Sequence, residues 1–324
     1  MKNILSILLI IAVMGVGAMA QAQQQGKVPR IGFLSPGSPV TGRVEAFRQG
    51  LRELGYVEGK NIVIESRYTE GKLDRLPALA AELVRLKVDI IVSTGATVTR
   101  AAKEATNTIP IVMAQDNDPI GNGFVASLAR PGGNVTGLSS VAAELSGKRL
   151  ELLKEIVPKL FRVAVLGTST NPGNAQALRE TELAAGAFGL QLQYLDVLGP
   201  KDIETAFRAA SKGRADAVLV FGGPLFNSQR TQLVQIAVKS RLPAIYNGTE
   251  IVEDGGLMSY AASGTDLFRR SATYVDKILK GAKPADLPLE QPKKFEFIIN
   301  LKAAKQIGLT IPPNVLARAD RVIQ

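Results

Sequence analysis

The 324-residue chain has no cysteine, no histidine and no tryptophan. Without cysteine there are no disulfides, even in an oxidising compartment. Without cysteine and histidine the usual donor sets for zinc, copper and non-haem iron are missing. Ser-His-Asp and Cys-His nucleophile systems are excluded because their base is absent. The sequence also lacks a G-x-x-x-x-G-K-[ST] phosphate loop and a G-x-G-x-x-G fingerprint, so nucleotide chemistry has no support. No segment after the N-terminal region is apolar over the ~20 residues that a membrane span needs. The formal net charge is +10. Lys and Arg are nevertheless spread through predicted helices beside Asp and Glu, with no basic run of the kind that forms a nucleic-acid arm.

What is present begins with an export signature. Met1-Lys2 precedes an apolar run from Ile4 to Val16, and Ala18-Met19-Ala20 supplies small residues for cleavage. This is the order of a cleaved secretory signal. The expectation is cleavage after Ala20, or two residues later after Ala22, and a periplasmic location. No cysteine follows the apolar run, so a lipoprotein anchor is excluded. A mature chain of about 300 residues fits two domains of ordinary size.

The rest of the chain states one pattern twice. Residues 30–35 (RIGFLS) read as a short buried strand. Val44, Phe47, Leu51 and Leu54 then fall at helical spacing. Residues 62–67 alternate as a strand, Leu76, Leu79, Leu83 and Leu86 form a helical stripe, and 89–95 (DIIVSTG) is a third strand. A helix from Thr97 to Ala105 leads to strand 110–114. The pattern restarts at 162–166, with a helix from Asn174 to Phe188, strand 191–196, a helix from Ile203 to Lys212, strand 217–221, helix 228–239 and strand 243–246. Short strands alternating with helices imply parallel sheets built from βαβ units. The expected fold is α/β: two Rossmann-like parallel-sheet lobes facing each other across a cleft.

The Gly/Pro-rich segment 131–137 (PGGNVTG) is expected to be the first crossing between lobes. A return crossing is expected near Ser259–Ser263 and a third within 289–300, giving a three-crossing hinge. Lobe one is then 28–138 plus 263–282, and lobe two is 139–262 plus 289–324.

In open parallel sheets ligands bind beyond the C-terminal ends of the strands. That rule selects Ser35 and Ser38, Thr94 and Gly95, and Asp116 and Asp118 in the first half. In the second it selects Asn174, Gly222, Asn227, Tyr246 and Asn247, with Tyr260 near a crossing. Backbone N–H groups near Ser35, Thr94 and Asn174 suit an anionic end of a ligand. Asp116 suits a cationic or hydroxyl end, and the ring of Tyr246 or Tyr260 an apolar part. Each position also has a purely structural account: helix capping for the Ser and Thr residues, tight turns for Gly95 and Gly222, an Asx-turn before Pro119 for the two aspartates, and core packing for the tyrosines.

Segments 47–56 (FRQGLRELGY), 109–120 (IPIVMAQDNDPI), 130–138 (RPGGNVTGL), 255–260 (GGLMSY) and 278–284 (ILKGAKP) carry a family resemblance. Asn300 with the helix after it, and 307–312 (IGLTIP), extend it over nearly all of the mature chain. The chain resembles substrate-binding proteins of ABC transporters of the tryptophan/tyrosine type. The resemblance implies a type I periplasmic binding fold that closes on a small ligand and presents it to a membrane permease. The chain is expected to be a monomer with no cofactor, no metal and no enzymatic activity. In the family a polar run with Asn often follows the first strand of the second lobe. Here that run is 167–174 (GTSTNPGN), with Asn174 in the matching place and without the usual Tyr-Asn-Ser form. Three alternatives are weighed beside it: a ligand-sensing co-receptor for a signalling protein, a His-independent secreted hydrolase, and a LacI-like regulator core. The export signal and the lack of a helix-turn-helix argue against the last.

Overall fold

The computed structural model describes residues 27–37, 42–171 and 173–324. The signal segment and Ser38 lie outside the described residues. The first half runs β1 (Arg30–Ser35), α1 (Gly42–Glu53), β2 (Val63–Tyr68), α2 (Leu76–Arg85), β3 (Ile90–Thr94), α3 (Ala96–Ala105), β4 (Ile111–Asp116) and β5 (Val135–Ser139). The second runs α4 (Ser146–Ile156), β6 (Arg162–Gly167), α5 (Asn174–Phe188), β7 (Gln191–Asp196), α6 (Pro200–Lys212), β8 (Ala217–Val220), α7 (Pro224–Ser228), α8 (Arg230–Ser240), β9 (Ala244–Tyr246), α9 (Thr249–Glu253) and β10 (Met258–Ala262). The chain ends with α10 (Gly264–Leu279), β11 (Phe295–Asn300), α11 (Leu301–Ile307), α12 (Pro313–Leu316) and β12 (Arg321–Ile323).

Two sheets result. Lobe one has the parallel order β2-β1-β3-β4-β5. Lobe two has the order β12-β11-β10-β9-β8-β6-β7, parallel except for the β10–β11 pair. Their central strands are buried on both faces, as the apolar runs require. In lobe one, Phe33 and Phe47 pack with Phe268 of α10 on one face, and Leu34, Leu83 and Val98 fill the other. In lobe two, α4 and α5 cover one face and α6 and α8 the other.

Helix ends follow local chemistry. Pro200 opens α6, and the Asp202 carboxylate accepts from the backbone N–H of Gly199 at 2.9 Å. The Ser263 hydroxyl accepts from Asp266 N at 3.4 Å and starts α10. Asn300 Oδ1 accepts from Ala303 N at 3.1 Å and starts α11.

The chain crosses between lobes three times, and the first crossing lies later than the expected 131–137. Val135–Ser139 lies in the first sheet, beside β4, so the chain leaves lobe one only after residue 139. The Gly/Pro cluster is the turn before this strand, and Asn134 Nδ2 pins it by donating to Thr106 O and Ile109 O. The last crossing falls within the expected 289–300, after its first two residues. Leu289 N donates to Leu128 O at 2.7 Å, Glu290 N to Gly137 O at 3.1 Å, and Ser139 N to Glu290 O at 3.0 Å. Residues 289 and 290 therefore lie along lobe one. The chain re-enters lobe two as β11, antiparallel to β10, because it arrives from the opposite end of the sheet.

The packing of α1 on α10 leaves no room at Gly50. A Cβ there would lie 2.3 Å from Arg269 O and 2.9 Å from Ala272 Cβ. Helix propensity favours alanine over glycine by about 1 kcal/mol, but overpacking of this kind costs about 1–3 kcal/mol and more against backbone. Gly50→Ala is expected to destabilise the protein by about 1–2 kcal/mol in urea unfolding. Equal or higher stability would mean that α10 can move away freely.

Candidate functional site

The C-terminal ends of β1, β3 and β4 and those of β6, β8 and β9 face each other. On lobe one, Ser35 ends β1 and its hydroxyl accepts from Gly37 N at 3.3 Å. Thr94 ends β3, and its buried Oγ1 has no partner among the described residues. Gly95 follows at φ +102° and opens α3 with no side-chain cap, so the first N–H groups of α3 point to the cleft. Asp116 ends β4. Its Oδ1 accepts from Asp118 N at 2.9 Å and from Asn122 Nδ2 at 3.0 Å, while Oδ2 is buried without a partner. Asp118 accepts from Gly121 N at 2.8 Å.

On lobe two, Thr168 is buried and its Oγ1 has no partner among the described residues. Asn171 Nδ2 donates to Gly222 O at 2.9 Å and to Asn174 Oδ1 at 3.2 Å. Asn247 lies against Gly222, where any Cβ would meet Asn247 Nδ2 at 2.4 Å. Asn247 Oδ1 accepts from Arg149 Nη2 at 2.6 Å.

The lobes meet directly. The Arg43 guanidinium on α1 grips Glu250 on α9 through two N–H donors, one at 2.8 Å, and also donates to Gln115 Oε1 at 3.3 Å. Thr97 Oγ1 donates to Asn171 Oδ1 at 3.3 Å. Gln176, with its amide oriented to donate, meets the Asp118 carboxylate. A Cβ on Gly173 would lie 3.2 Å from Asn117 Cβ. The cleft is closed, and these closing contacts are polar.

The family model for "ABC transporter substrate binding protein" matches residues 36–323. The chain belongs to this family. A tyrosine-binding protein of Clostridioides difficile is 24% identical over 265 residues, 82% of this chain and 76% of that protein. An ABC domain from Streptococcus pneumonia, solved in complex with L-Trp, superposes with a TM-score of 0.85 at 29% identity, over 92% of this chain and all of that one. A conserved domain protein from Vibrio cholerae gives a TM-score of 0.85 at 28% identity, over 91% of this chain and all of that one. The fold is thus the two-lobed type I periplasmic binding fold, and the family is one of solute-binding proteins rather than enzymes.

Not every residue expected at the cleft of this binding protein is free to act there. Asn174 is buried beneath its loop, where its N–H donates to Asn171 O and its Nδ2 to Thr168 O. Its backbone donor is therefore occupied, and it acts as a brace. Tyr246 is fully buried in the core, beside Ala237, Val238, Gly256 and Ile307, on the layer that carries α8 and α11. Period-two alternation along β9 sends this ring to one face of the sheet and Ile245 to the other, so Tyr246 cannot cover a ligand in the closed form. Tyr260 is half-buried at the second crossing, with its ring stacked on Phe295 at 6.2 Å. Asn227 is exposed on α7 at the rim, beside Ser228, which faces Gly71 of lobe one. Ser35, Thr94, Gly95, Asp118, Gly222 and Asn247 come together.

Arg43, Arg149, Gln176 and Glu250 were not singled out by sequence. Arg149 had a readable signal, since it falls on the same helical stripe as Leu152, Leu153 and Ile156. The other three had none.

Two carboxyl groups near the cleft have shifted acidity. Burial pushes the Asp116 carboxyl up to about 7, against the smaller opposing effect of the Asp118 N–H and the Asn122 amide. Burial also disfavours the Glu250 charge, but the Arg43 guanidinium outweighs it and holds that carboxyl below its usual range. Because the folded pKa of Asp116 lies above its unfolded value, the folded state binds more protons between about pH 4 and pH 7. This group should therefore lower stability as pH rises through that window. Asp116→Asn keeps an acceptor for both donors and is expected to flatten the slope, by a few kcal/mol between pH 4.5 and pH 7.5 in chemical denaturation. An unchanged slope would show that the carboxyl is ionised at neutral pH.

Glu250→Gln removes one charge of the clasp between lobes. The ligand-free closed population should fall by about fivefold or more, as a well-formed charge-assisted pair of hydrogen bonds implies. Small-angle X-ray scattering should show a larger radius of gyration than for the parent protein. An identical scattering curve would mean that the clasp does not hold the lobes.

Proposed function

We propose that this chain is an extracytoplasmic solute receptor that encloses a small polar or amino-acid-like ligand between its lobes and delivers it to an ABC permease. One observation carries the reading. Thr94 Oγ1 and Thr168 Oγ1, one from each lobe at facing strand ends, are buried hydroxyls with no partner among the described residues. Buried hydroxyls are nearly always hydrogen-bonded, and a ligand held between the lobes gives both a partner. The free N–H groups of α3 and the Asn247 amide supply the other polar contacts, with Tyr260 as the aromatic neighbour. L-Trp in the pneumococcal structure and tyrosine in the clostridial relative's name support an amino-acid-like ligand. The A-x-A export signature supports the periplasmic location, and family membership supports the permease as partner.

Closure stabilises the complex only through contacts made better in the closed form. Hydroxyls contributed by both lobes meet that condition, because neither lobe alone completes the set. A thermal-shift screen over amino acids, purines, sugars and small organic acids tests the reading. The expected result is a concentration-dependent rise in Tm for one chemical class, reduced about tenfold in affinity by Thr94→Val. Absence of any binding, or turnover of a substrate instead, would overturn it.

A further inference from the structure

Arg149 is 1% exposed, the largest fully buried side chain of the described residues, and no carboxylate lies within ion-pair distance of it among them. Its acceptors are all neutral. Nε donates to Tyr260 O at 2.9 Å, Nη1 to Ala142 O at 2.8 Å and Nη2 to Asn247 Oδ1 at 2.6 Å. Burial lowers its pKa to about 10, so it is still charged at neutral pH. A buried charge without a counter-ion is expensive, and proteins normally pair it. Of the acidic groups near the cleft, Glu250 is engaged by Arg43 and Asp118 by Gln176 and Gly121 N, while Asp116, on the opposite lobe, keeps one buried oxygen without a partner.

The third contact gives this charge a direction. With Oδ1 committed to Arg149, Asn247 turns its amide nitrogen to Gly222, at the strand ends facing lobe one. Asn247 Nδ2 makes no hydrogen bond within the described residues. The guanidinium behind it draws electrons from the amide and strengthens it as a donor, by the mutual polarisation of linked hydrogen bonds. Beside it stand the Thr168 hydroxyl and, across the cleft, the Thr94 hydroxyl and the open N-terminus of α3. Every one of these groups can donate.

We propose that Arg149 is the positioning charge of the site: through Asn247 it commits the lobe-two wall to a ligand bearing a carboxylate, which becomes the counter-ion that the protein itself lacks. This rests on the receptor reading above and narrows its ligand class. Arg149 does not touch the ligand. It acts by orienting Asn247 and by its field, which burial leaves unscreened by solvent.

Asn247→Asp tests this in nearly the same shape. The new carboxylate would pair with Arg149 from within. The ligand-free protein should then melt several degrees higher, and affinity for an anionic ligand should fall about 100-fold or more. The probes are the twenty L-amino acids and a set of aliphatic and aromatic monocarboxylates, each beside its carboxamide, followed by Tm in the parent, Asn247→Asp and Arg149→Lys proteins. The expected pattern is stabilisation of the parent by one or more acids and not by the matching amides, lost in Asn247→Asp. Arg149→Lys, which keeps the charge and loses the fork, should retain weakened preference for acid over amide. A purely structural arginine would leave the acid-to-amide ratio unmoved by either substitution, and that outcome overturns the proposal. So would a lower ligand-free Tm for Asn247→Asp, or stabilisation of the parent by sugars or nucleosides alone; in that last case the receptor reading survives. If no probe and no neutral solute shifts any of the proteins, both readings fall together.

Discussion

The guanidinium of Arg149 joins three pieces of chain: the loop of the first crossing at Ala142, the strand of the second at Tyr260, and the cleft residue Asn247. The two crossings must stay in register for the lobes to face each other. A planar fork with several donors can hold three acceptors at fixed angles, which a lysine cannot. Burying it removes competing water, so the geometry is rigid. The strand ends, the loops above them and the facing hydroxyls all inherit their positions from this arrangement.

Rigidity at the hinge contrasts with the contacts that close the mouth. Arg43 with Glu250, Thr97 with Asn171, and Gln176 with Asp118 are all polar, and their partners are partly exposed. Such contacts exchange for water at little net cost. An apolar interface between the lobes would lock them shut. Two well-packed lobes with separate cores, stiff crossings and a hydrophilic seam can open and close without disturbing either core.

Much of this was legible in the sequence because helices and strands leave different periods. The 3.6-residue stripe of α1 and the apolar runs of β1 and β3 predicted the two α/β lobes, and the rule about strand ends located the loops that meet. Val135–Ser139 escaped notice because its Gly-, Pro- and Asn-rich preface reads as a break, although the strand follows it directly. Tyr246 was placed near the site because it ends a strand. In a parallel sheet both faces are apolar, so no pattern told which face its ring takes. Arg43 and Glu250 are 207 positions apart, and nothing local connects them. Arg149 stood in plain view as a charge on an apolar helical stripe, and its partners could be known only from the tertiary structure.

The position of α10 has a consequence for how the chain comes to be folded. Its Phe268 completes the core beneath Phe33 and Phe47, yet it follows strands β6 to β10 of lobe two in sequence. The first lobe therefore cannot finish its core until residue 279 is available. The nearest-neighbour strands of that lobe can pair early, but the face that α1 shares with α10 stays only partly covered until α10 arrives. Contacts of such long sequence separation slow folding. The helix that covers the first lobe thus sets the end of that lobe's folding: its packing is complete only once α10 has been made.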